Sequence, residues 1–135
     1  MATRRDRAVP GPDPRRFLPL THLSFQVLLA LAGGDRHGYG IVKEVEKRSA
    51  GVIVPGTGTL YVALQRLLED GLIEESDWRP SDPGDDDARR RYYRLTALGR
   101  AVARAEAERL AASVDAARES RLLGAGRRAK GGARS

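Results

Sequence analysis

Apolar residues recur at the spacing of an α-helix in three successive segments of the chain. They are Leu23, Val27, Leu28 and Leu31, then Ile41, Val42 and Val45, and then Leu60, Leu64, Leu67 and Leu68. Each set falls on one face of a helix and leaves polar residues on the other. Thr21 can cap the first helix and Thr57 begins the third, whereas Gly33–Gly34 and Gly71 end these helices. The pattern predicts three short helices packed around a shared core.

A different pattern follows the third helix. Leu72–Trp78 and Arg91–Leu95 favour extended strands, and the polar loop 79–90 between them is rich in Asp, Pro and Gly. This arrangement predicts a hairpin with a long tip. Thr96 then begins an alanine-rich segment, residues 96–123, that favours one final helix. At 1.5 Å per residue that helix is about 40 Å long, so it overruns the core and needs another surface to cover its apolar face.

The order of these elements predicts a mainly α fold, a winged helix-turn-helix of three helices and a two-stranded wing with a long C-terminal dimerisation helix. A chain of 135 residues has room for one such core. We expect a disordered basic arm over residues 1–19, a winged helix-turn-helix DNA-binding domain over 20–95, a dimerisation helix over 96–123 and a disordered basic tail over 124–135.

Positive charge is concentrated at the two ends of the chain. The net charge of +6 suggests a polyanion as a partner. Residues 1–16 contribute +3 and residues 118–135 contribute +5, whereas residues 17–117 carry −2. A folded part that binds nucleic acid must therefore present a local positive patch. The tails are either simply solvated or add non-specific phosphate contacts.

Several classes of function lack the residues that they require. The chain has no cysteine, which excludes disulfides and thiolate metal ligands. Its two histidines, His22 and His37, stand in unrelated contexts, and residues 55–59 lack the Gly-Lys-Ser/Thr ending of a nucleotide-binding loop. We therefore expect no metal, no cofactor and no enzyme activity. Because no apolar run is long enough to span a bilayer and no signal peptide is recognisable, we expect no membrane partner and a cytoplasmic location.

Four motifs, taken in order and spacing, resemble the PadR family of bacterial transcriptional regulators. They are Leu28–Ala30–Leu31 leading to His37–Gly38–Tyr39, Gly58–Thr59–Leu60–Tyr61 followed by Leu64 and Arg66–Leu67, Asp70–Gly71–Leu72–Ile73, and Arg90–Arg91–Tyr92–Tyr93–Arg94–Leu95–Thr96 ending at Gly99. The resemblance covers about residues 20–99 and rests on the combination. The chain departs from the family at Val62, where a small residue or proline is usual, and in the wing, which carries Asp82 and Asp85–Asp87.

The resemblance implies a homodimeric repressor that binds double-stranded DNA at a palindromic operator. Its third helix would enter the major groove, its wing would touch the backbone or the minor groove, and its last helix would build the dimer. Members of the family respond to phenolic or drug-like molecules near the dimer interface, so an aromatic or drug-like effector is implied as a further partner. Trp78, the only tryptophan, either stacks on such a ligand or serves in packing.

Candidate DNA contacts lie on the outward face of the third helix and at the base of the wing. They are Thr57, Gly58, Thr59, Tyr61, Val62, Gln65 and Arg66 on the helix, and Arg89, Arg90, Arg91 and Arg94 at the wing. Gln65 suits an adenine edge, Arg66 a guanine or a phosphate, and Val62 a thymine methyl unless it packs on the second helix. The wing arginines either bind phosphate or neutralise Asp85–Asp87.

Small apolar residues recur every three or four positions along the last helix, as in a coiled coil. The seam comprises Ala103, Ala107, Leu110, Val114 and Ala117, and we expect Leu98 and Val102, with Phe25 and Leu29 of the first helix, to extend it. It predicts a helix-to-helix dimer contact, and the alternative is a helix that packs only on its own core. An alternative for the whole chain is a non-specific DNA-binding or architectural or adaptor protein that acts through its basic tails.

Overall fold

The structure is a computed structural model that describes residues 11–81, 84 and 89–124. Its elements are a 3-10 helix (Pro14–Phe17), α1 (His22–Ala32), β1 (Arg36–His37), α2 (Gly38–Arg48), α3 (Thr57–Glu69), β2 (Ile73–Ser76), β3 (Tyr92–Leu95) and α4 (Ala97–Glu119). Three helices, a hairpin and a long helix follow one another as the sequence predicts. The mainly α winged helix-turn-helix fold is therefore confirmed.

Side-chain caps fix where the helices begin. The hydroxyl of Thr21 accepts a hydrogen bond from the Ser24 N–H at 3.1 Å, and the hydroxyl of Thr96 accepts one from the Gly99 N–H at 3.0 Å. Such caps satisfy donors that the first helical turn leaves unpaired. Gly71, at φ +76°, follows α3 in the left-handed conformation that glycine adopts without strain. Both predicted caps and this predicted stop are confirmed.

The three strands form one antiparallel sheet in the order β1-β3-β2. Across β2 and β3, Ile73 lies opposite Leu95 and Glu75 lies opposite Tyr93. The sequence predicts only the hairpin, and β1 is an addition to it, because its two residues are too few to show an alternating pattern. Through β1, the segment just before α2 is joined to the base of the wing.

The hydrophobic core lies between the four helices and one face of the sheet. Its largest fully buried apolar side chains are Leu28, Ile41, Leu60, Leu64, Leu72, Ile73, Val27, Val45 and Val102. On α4 the backbone of Gly99 approaches the Leu72 carbonyl so closely that a β-carbon would lie 1.8 Å from its oxygen. This contact seats the first turns of α4 against the end of the α3–β2 turn.

The ordered part of the chain begins earlier than the sequence predicts. We expected a disordered arm over residues 1–19, but Pro14–Phe17 form a 3-10 helix that packs on α4. The Leu20 N–H donates a hydrogen bond of 2.9 Å to Oε2 of Glu106, a buried carboxylate on α4 that also pairs with Arg109. The prediction of disorder is wrong for these last residues of the arm. Residues 1–10 and the tail from residue 125 lie outside the described residues.

Helix α4 divides into a buried half and an exposed half. Val102 and Ala103 are buried in the core of the chain itself, and Leu98 packs against that core. These three residues are therefore core positions, which corrects their assignment to a dimer seam. The helix ends at Glu119, four residues before the predicted end, where Arg121 adopts φ +63° and the Leu122 N–H bonds to the Ala117 carbonyl at 2.8 Å.

Candidate nucleic-acid interface

The outward side of α3 is a continuous exposed surface. All seven predicted contact residues on this helix, Thr57, Gly58, Thr59, Tyr61, Val62, Gln65 and Arg66, are exposed. Leu60, Leu64 and Leu67 point into the core. The Gln65 amide donates to the Glu69 carboxylate at 3.2 Å, one turn further along. The predicted division of α3 into inward and outward faces is thus confirmed, whereas contact with DNA stays a prediction for each residue.

The side chain of Tyr61 leaves α3 and reaches the first residue of α2. A β-carbon added to Gly38 would lie 2.7 Å from the Tyr61 hydroxyl oxygen and 3.2 Å from the ring carbon that bears it. Residue 38 must therefore be glycine for the ring to lie where it does. About half of the Tyr61 side chain stays exposed. The contact ties the two helices of the helix-turn-helix together on their solvent side.

A cavity of about 560 Å³ separates α3 from the base of the wing. Its polar lining comes from three places, namely the start of α2, the outward face of α3 and the start of β3. The polar and aromatic residues that line it are His37, Tyr39, Tyr61, Gln65, Arg90, Arg91 and Tyr93. Four of the predicted contact residues, Tyr61, Gln65, Arg90 and Arg91, thus border one concave surface.

Arg90 lies against aromatic rings at the edge of this cavity. Its Nη1 is 3.1 Å from His37 Nε2, and its guanidinium carbon is 5.6 Å from the centre of the Tyr39 ring. The Lys43 ammonium lies 5.3 Å from the centre of the same ring. Aromatic faces attract cations, so these contacts hold two positive charges beside the cavity. Tyr39 and Lys43 were not among the predicted site residues, although Tyr39 belongs to the His-Gly-Tyr motif.

His37 serves as a structural residue at the start of α2. Its Nδ1 accepts a hydrogen bond from the Gly40 N–H at 2.9 Å, so it caps the helix. Its ring also contacts the edge of Tyr92, at 5.2 Å between centres. Within the described residues, no group of three or more His, Asp or Glu side chains is placed to hold a metal ion.

Arg91 immediately precedes β3 on the side of the sheet that adjoins α3, and it is paired with a carboxylate. Its Nε lies 3.1 Å from Glu75 Oε2 on the neighbouring strand. Tyr93 lies on the same face, and burial raises the pKa of its hydroxyl above the ordinary value of 10.0. The hydroxyl therefore stays neutral at physiological pH. Arg91 brings a guanidinium to the cavity, but Glu75 already balances its charge.

Arg94 lies on the opposite face of the sheet from Arg91. Side chains alternate along a strand, and Arg94 shares its face with Tyr92. Its Nε donates to Glu74 at 2.8 Å, and this hydrogen bond raises the pKa of the guanidinium. The structure therefore separates Arg94 from the other predicted contacts. Arg89 is exposed near the start of β3. Asp82 and Asp85–Asp87 lie outside the described residues, and so does the predicted pairing of the wing arginines with Asp85–Asp87.

Trp78 covers the outer face of the sheet. Its ring meets the edge of Tyr92 with 5.5 Å between centres, and the Arg79 guanidinium lies 4.7 Å from the Tyr92 centre on that side. Nearly half of the Trp78 side chain remains exposed. These contacts support the packing role among the two that the sequence left open for this residue.

Val62 faces a second concavity, on the side of α3 away from the wing. This groove of about 420 Å³ runs between α3 and the segment that leads into α1, and Leu20, Leu23, Ala63 and Arg66 also line it. Val62 is 66% exposed, which is too much for a residue packed on α2. Packing against the second helix is therefore excluded as the explanation of Val62.

The chain matches known proteins over this same region. A family model described as "Transcriptional regulator PadR-like family" matches residues 27–105, which run from α1 into the first half of α4. A protein of Lysinibacillus sphaericus described as "Uncharacterized protein X" is 36% identical over 80 residues, which make up 59% of this chain and 70% of that protein. The residues matched by the family model contain α3, the wing and the cavity between them.

Solved structures share the architecture. A transcriptional regulator from Clostridium thermocellum is 26% identical, with a TM-score of 0.58, and the match covers 78% of this chain and 93% of that one. A PadR family transcription regulator from Clostridium difficile is 23% identical, with a TM-score of 0.61, and covers 77% of this chain and all of its own. At 23% identity, the second match shows only that the two proteins share a fold.

No helix in the described ranges is long and apolar enough to cross a bilayer.

Proposed function

The chain belongs to the PadR-like family of transcriptional regulators, and on that premise we propose that it is a homodimeric repressor that binds a palindromic operator in the cytoplasm. A member of this family is a DNA-binding regulator and not an enzyme. Within the proposal, residues 20–95 form the DNA-binding unit. The exposed half of α4 forms the dimer contact.

One observation carries the assignment of the DNA-binding face. Tyr61 and Gln65 on α3, together with Arg90 and Arg91 at the wing base, line a single cavity on the exposed side of the helix-turn-helix. A duplex whose major groove receives α3 must pass its sugar-phosphate backbone between that helix and the wing. Tyrosine hydroxyls and arginines are suitable donors to phosphate oxygens. The cavity is therefore assigned to the DNA backbone.

The first turn of α3 is suited to an anion as well. Its N-cap is Gly56, which provides no side-chain cap, so the N–H groups around Gly58 face the exposed end of the helix. Free N–H groups and the helix dipole favour a phosphate at this end. Thr57 and Thr59 add hydroxyl donors, while Gln65 and Arg66 lie further along, where side chains meet base edges. The exposed apolar side chain of Val62 suits contact with a thymine methyl.

The exposed half of α4 provides the proposed dimer surface. Ala107, Leu110, Val114 and Ala117 continue the apolar spacing beyond the part of the helix that packs on the core. Val114 is 39% exposed and Leu110 is partly so. Small side chains let two helices approach closely, and a second copy of this chain carries the same stripe. A dimer would present two copies of α3 to one operator.

Release of the operator by a small molecule is the remaining part of the proposal. It rests on the resemblance to the family, which implies an aromatic or drug-like effector near the dimer interface. Trp78, half exposed and the only tryptophan of the chain, gives a fluorescence signal for binding. Titration of phenolic compounds into the complex with DNA tests this part. A compound that lowers DNA affinity supports it, and a panel without effect removes it.

Selection of bound sequences from a random duplex pool tests the repressor function. Recovery of a palindrome with half-sites about one helical turn apart is expected for a dimer with two recognition helices. A variant restricted to residues 11–124 serves as the control for the tails. It should select the same sequence, whereas a protein that acts through its tails would lose nearly all affinity. A pool without enrichment would contradict sequence-specific regulation.

A further inference from the structure

Two neighbouring glutamates of β2 pair with Arg91, just before β3, and with Arg94, within β3, on opposite faces of the sheet. Glu75 pairs with Arg91 at 3.1 Å on the face toward α3, and Glu74 pairs with Arg94 at 2.8 Å on the other face. The register supports this division, because Glu75 lies opposite the core residue Tyr93. Both are exposed Arg–Glu ion pairs on opposite faces of the sheet, and the Arg94–Glu74 pair is in addition a hydrogen bond.

Only the pair on the α3 side meets the proposed DNA surface. Arg91 lines the cavity that is assigned to the DNA backbone. A carboxylate and a phosphate offer the guanidinium the same kind of charged oxygen acceptor. While Glu75 holds the Nε side of the guanidinium, a phosphate that enters the cavity reaches its Nη donors and must share the positive charge with the carboxylate.

We propose that Glu75 is an internal competitor of DNA that occupies Arg91 in the free protein and lowers the affinity of the interface. This inference rests on the proposed function and adds regulation to the same surface. It identifies a residue of the wing that acts on affinity without contributing to base recognition. Glu75 and DNA both offer Arg91 a negatively charged oxygen. In the case of DNA this oxygen belongs to a phosphodiester of the backbone.

The two pairs supply their own matched control. Glu75→Gln removes the competing charge on the DNA side, and Glu74→Gln removes an equal charge one residue away on the other face. Both glutamates are about half exposed, so neither substitution disturbs the core, and thermal unfolding checks this. Exposed ion pairs of this kind alter equilibria by about 1.5- to 5-fold. That range sets the size of the effect to be measured.

The experiment is a titration of the full chain into a fluorescent mixed-sequence duplex of about 30 base pairs, three helical turns, by anisotropy at low salt. A phosphate contact is independent of sequence, so the operator is not needed. We expect Glu75→Gln to bind about 1.5- to 5-fold more tightly than the unchanged chain. Glu74→Gln should bind like the unchanged chain, within the smaller long-range effect of removing one charge.

A double substitution shows whether the effect passes through Arg91. Arg91→Gln alone should weaken binding and make the dependence of log K on log salt shallower by about 0.9 for each phosphate that the arginine neutralises in the unchanged chain. In the Arg91→Gln background, Glu75→Gln should have no advantage over Glu74→Gln.

The outcomes separate this inference from the proposed function. If Glu75→Gln and Glu74→Gln raise the affinity for DNA equally, the effect is one of net charge, and the inference is overturned. If Glu75→Gln lowers the affinity, the inference is also overturned, and Glu75 is a residue that positions Arg91. In both cases DNA binding itself would stand. If the unchanged chain binds no duplex at any salt concentration, the proposed function fails, and the competitor role fails with it.

Discussion

The hydroxyl of Tyr61 lies against Gly38, so close that a β-carbon at residue 38 would be 2.7 Å from the hydroxyl oxygen. This contact links the solvent faces of α2 and α3. It places a phenol between the recognition helix and the start of α2, at the edge of the cavity next to the wing. The position of a proposed DNA contact therefore depends on the absence of a side chain on another helix.

Gly38→Ala is expected to weaken DNA binding more than it weakens the fold. The added methyl group displaces the end of a flexible, half-exposed side chain, which can turn outward at little cost. The loss of a positioned hydroxyl should reduce affinity by about 10-fold or more, as for one hydrogen bond to a charged group. Anisotropy titrations and thermal unfolding measure the two effects. Tyr61→Phe should reproduce the loss of affinity, and an unchanged affinity in both variants would remove Tyr61 from the interface.

Gly99→Ala is expected to destabilise the fold strongly. The added β-carbon would lie 1.8 Å from the Leu72 carbonyl oxygen, and both partners are backbone, so neither can move alone. We expect a loss of about 3 kcal/mol or more in the free energy of unfolding, measured by denaturant titration. Gly58→Ala is the matched control, because a β-carbon there meets nothing within 4 Å. It should leave stability unchanged or raise it by up to about 1 kcal/mol.

Glu106 is expected to make stability depend on pH in the acid range. Its hydrogen bonds with Arg109 and with the Leu20 N–H lower the pKa of the carboxyl below its ordinary value of 4.5. Since the folded pKa is lower than the unfolded one, the stabilisation is complete above the unfolded value. It is lost as the pH falls through the folded value. Glu106→Gln should cost about 1–3 kcal/mol at neutral pH and little in acid.

Denaturant unfolding between about pH 3 and pH 7 measures this dependence. Glu108→Gln, at an exposed position on the same helix, is the control and should follow the unchanged chain at every pH. A parallel pH dependence in Glu106→Gln and in the unchanged chain would show that the Leu20–Glu106–Arg109 contact does not stabilise the fold.

Val114→Glu is expected to convert the proposed dimer to a monomer. Val114 lies in the exposed apolar stripe of α4, where a second copy would bury a charge without a partner. Ala112→Glu places the same charge about half a turn away on the helix and should leave the dimer intact. Sedimentation velocity over a range of concentrations distinguishes the species. A mass that is equal in the two variants would contradict this helix face as the dimer contact.

Periodicity and caps predicted the helices well because each helix buries one regular face. The exposed residues of α3, from Thr57 to Arg66, were predicted from the same helical periodicity. What the sequence could not show depends on contacts between distant segments. Glu106 has the appearance of one more charged residue on an amphipathic helix, and only its contact with Leu20 explains its burial.

In the wing as well, the contacts between strands could not be predicted from the sequence. An arginine-rich strand suggests one positive patch, but the register pairs Arg91 and Arg94 with glutamates on opposite faces. Strand alternation could have separated these two arginines, whereas their partners depend on which residues of β2 lie opposite. Leu98, Val102 and Ala103 fit a dimer seam by spacing alone, since the same spacing serves a helix that packs on its own core.

Base recognition by the outward face of α3 is tested most directly by measuring the specificity of Gln65→Ala on the selected operator. Affinities are compared for the operator, for each single base-pair substitution in one half-site and for a mixed-sequence duplex. We predict that Gln65→Ala loses discrimination at one base pair, worth about 1–3 kcal/mol, and keeps its affinity for the mixed duplex. Arg91→Gln should instead weaken binding to every duplex evenly. If Gln65→Ala and Arg66→Ala both keep the full base preference, α3 does not read the operator.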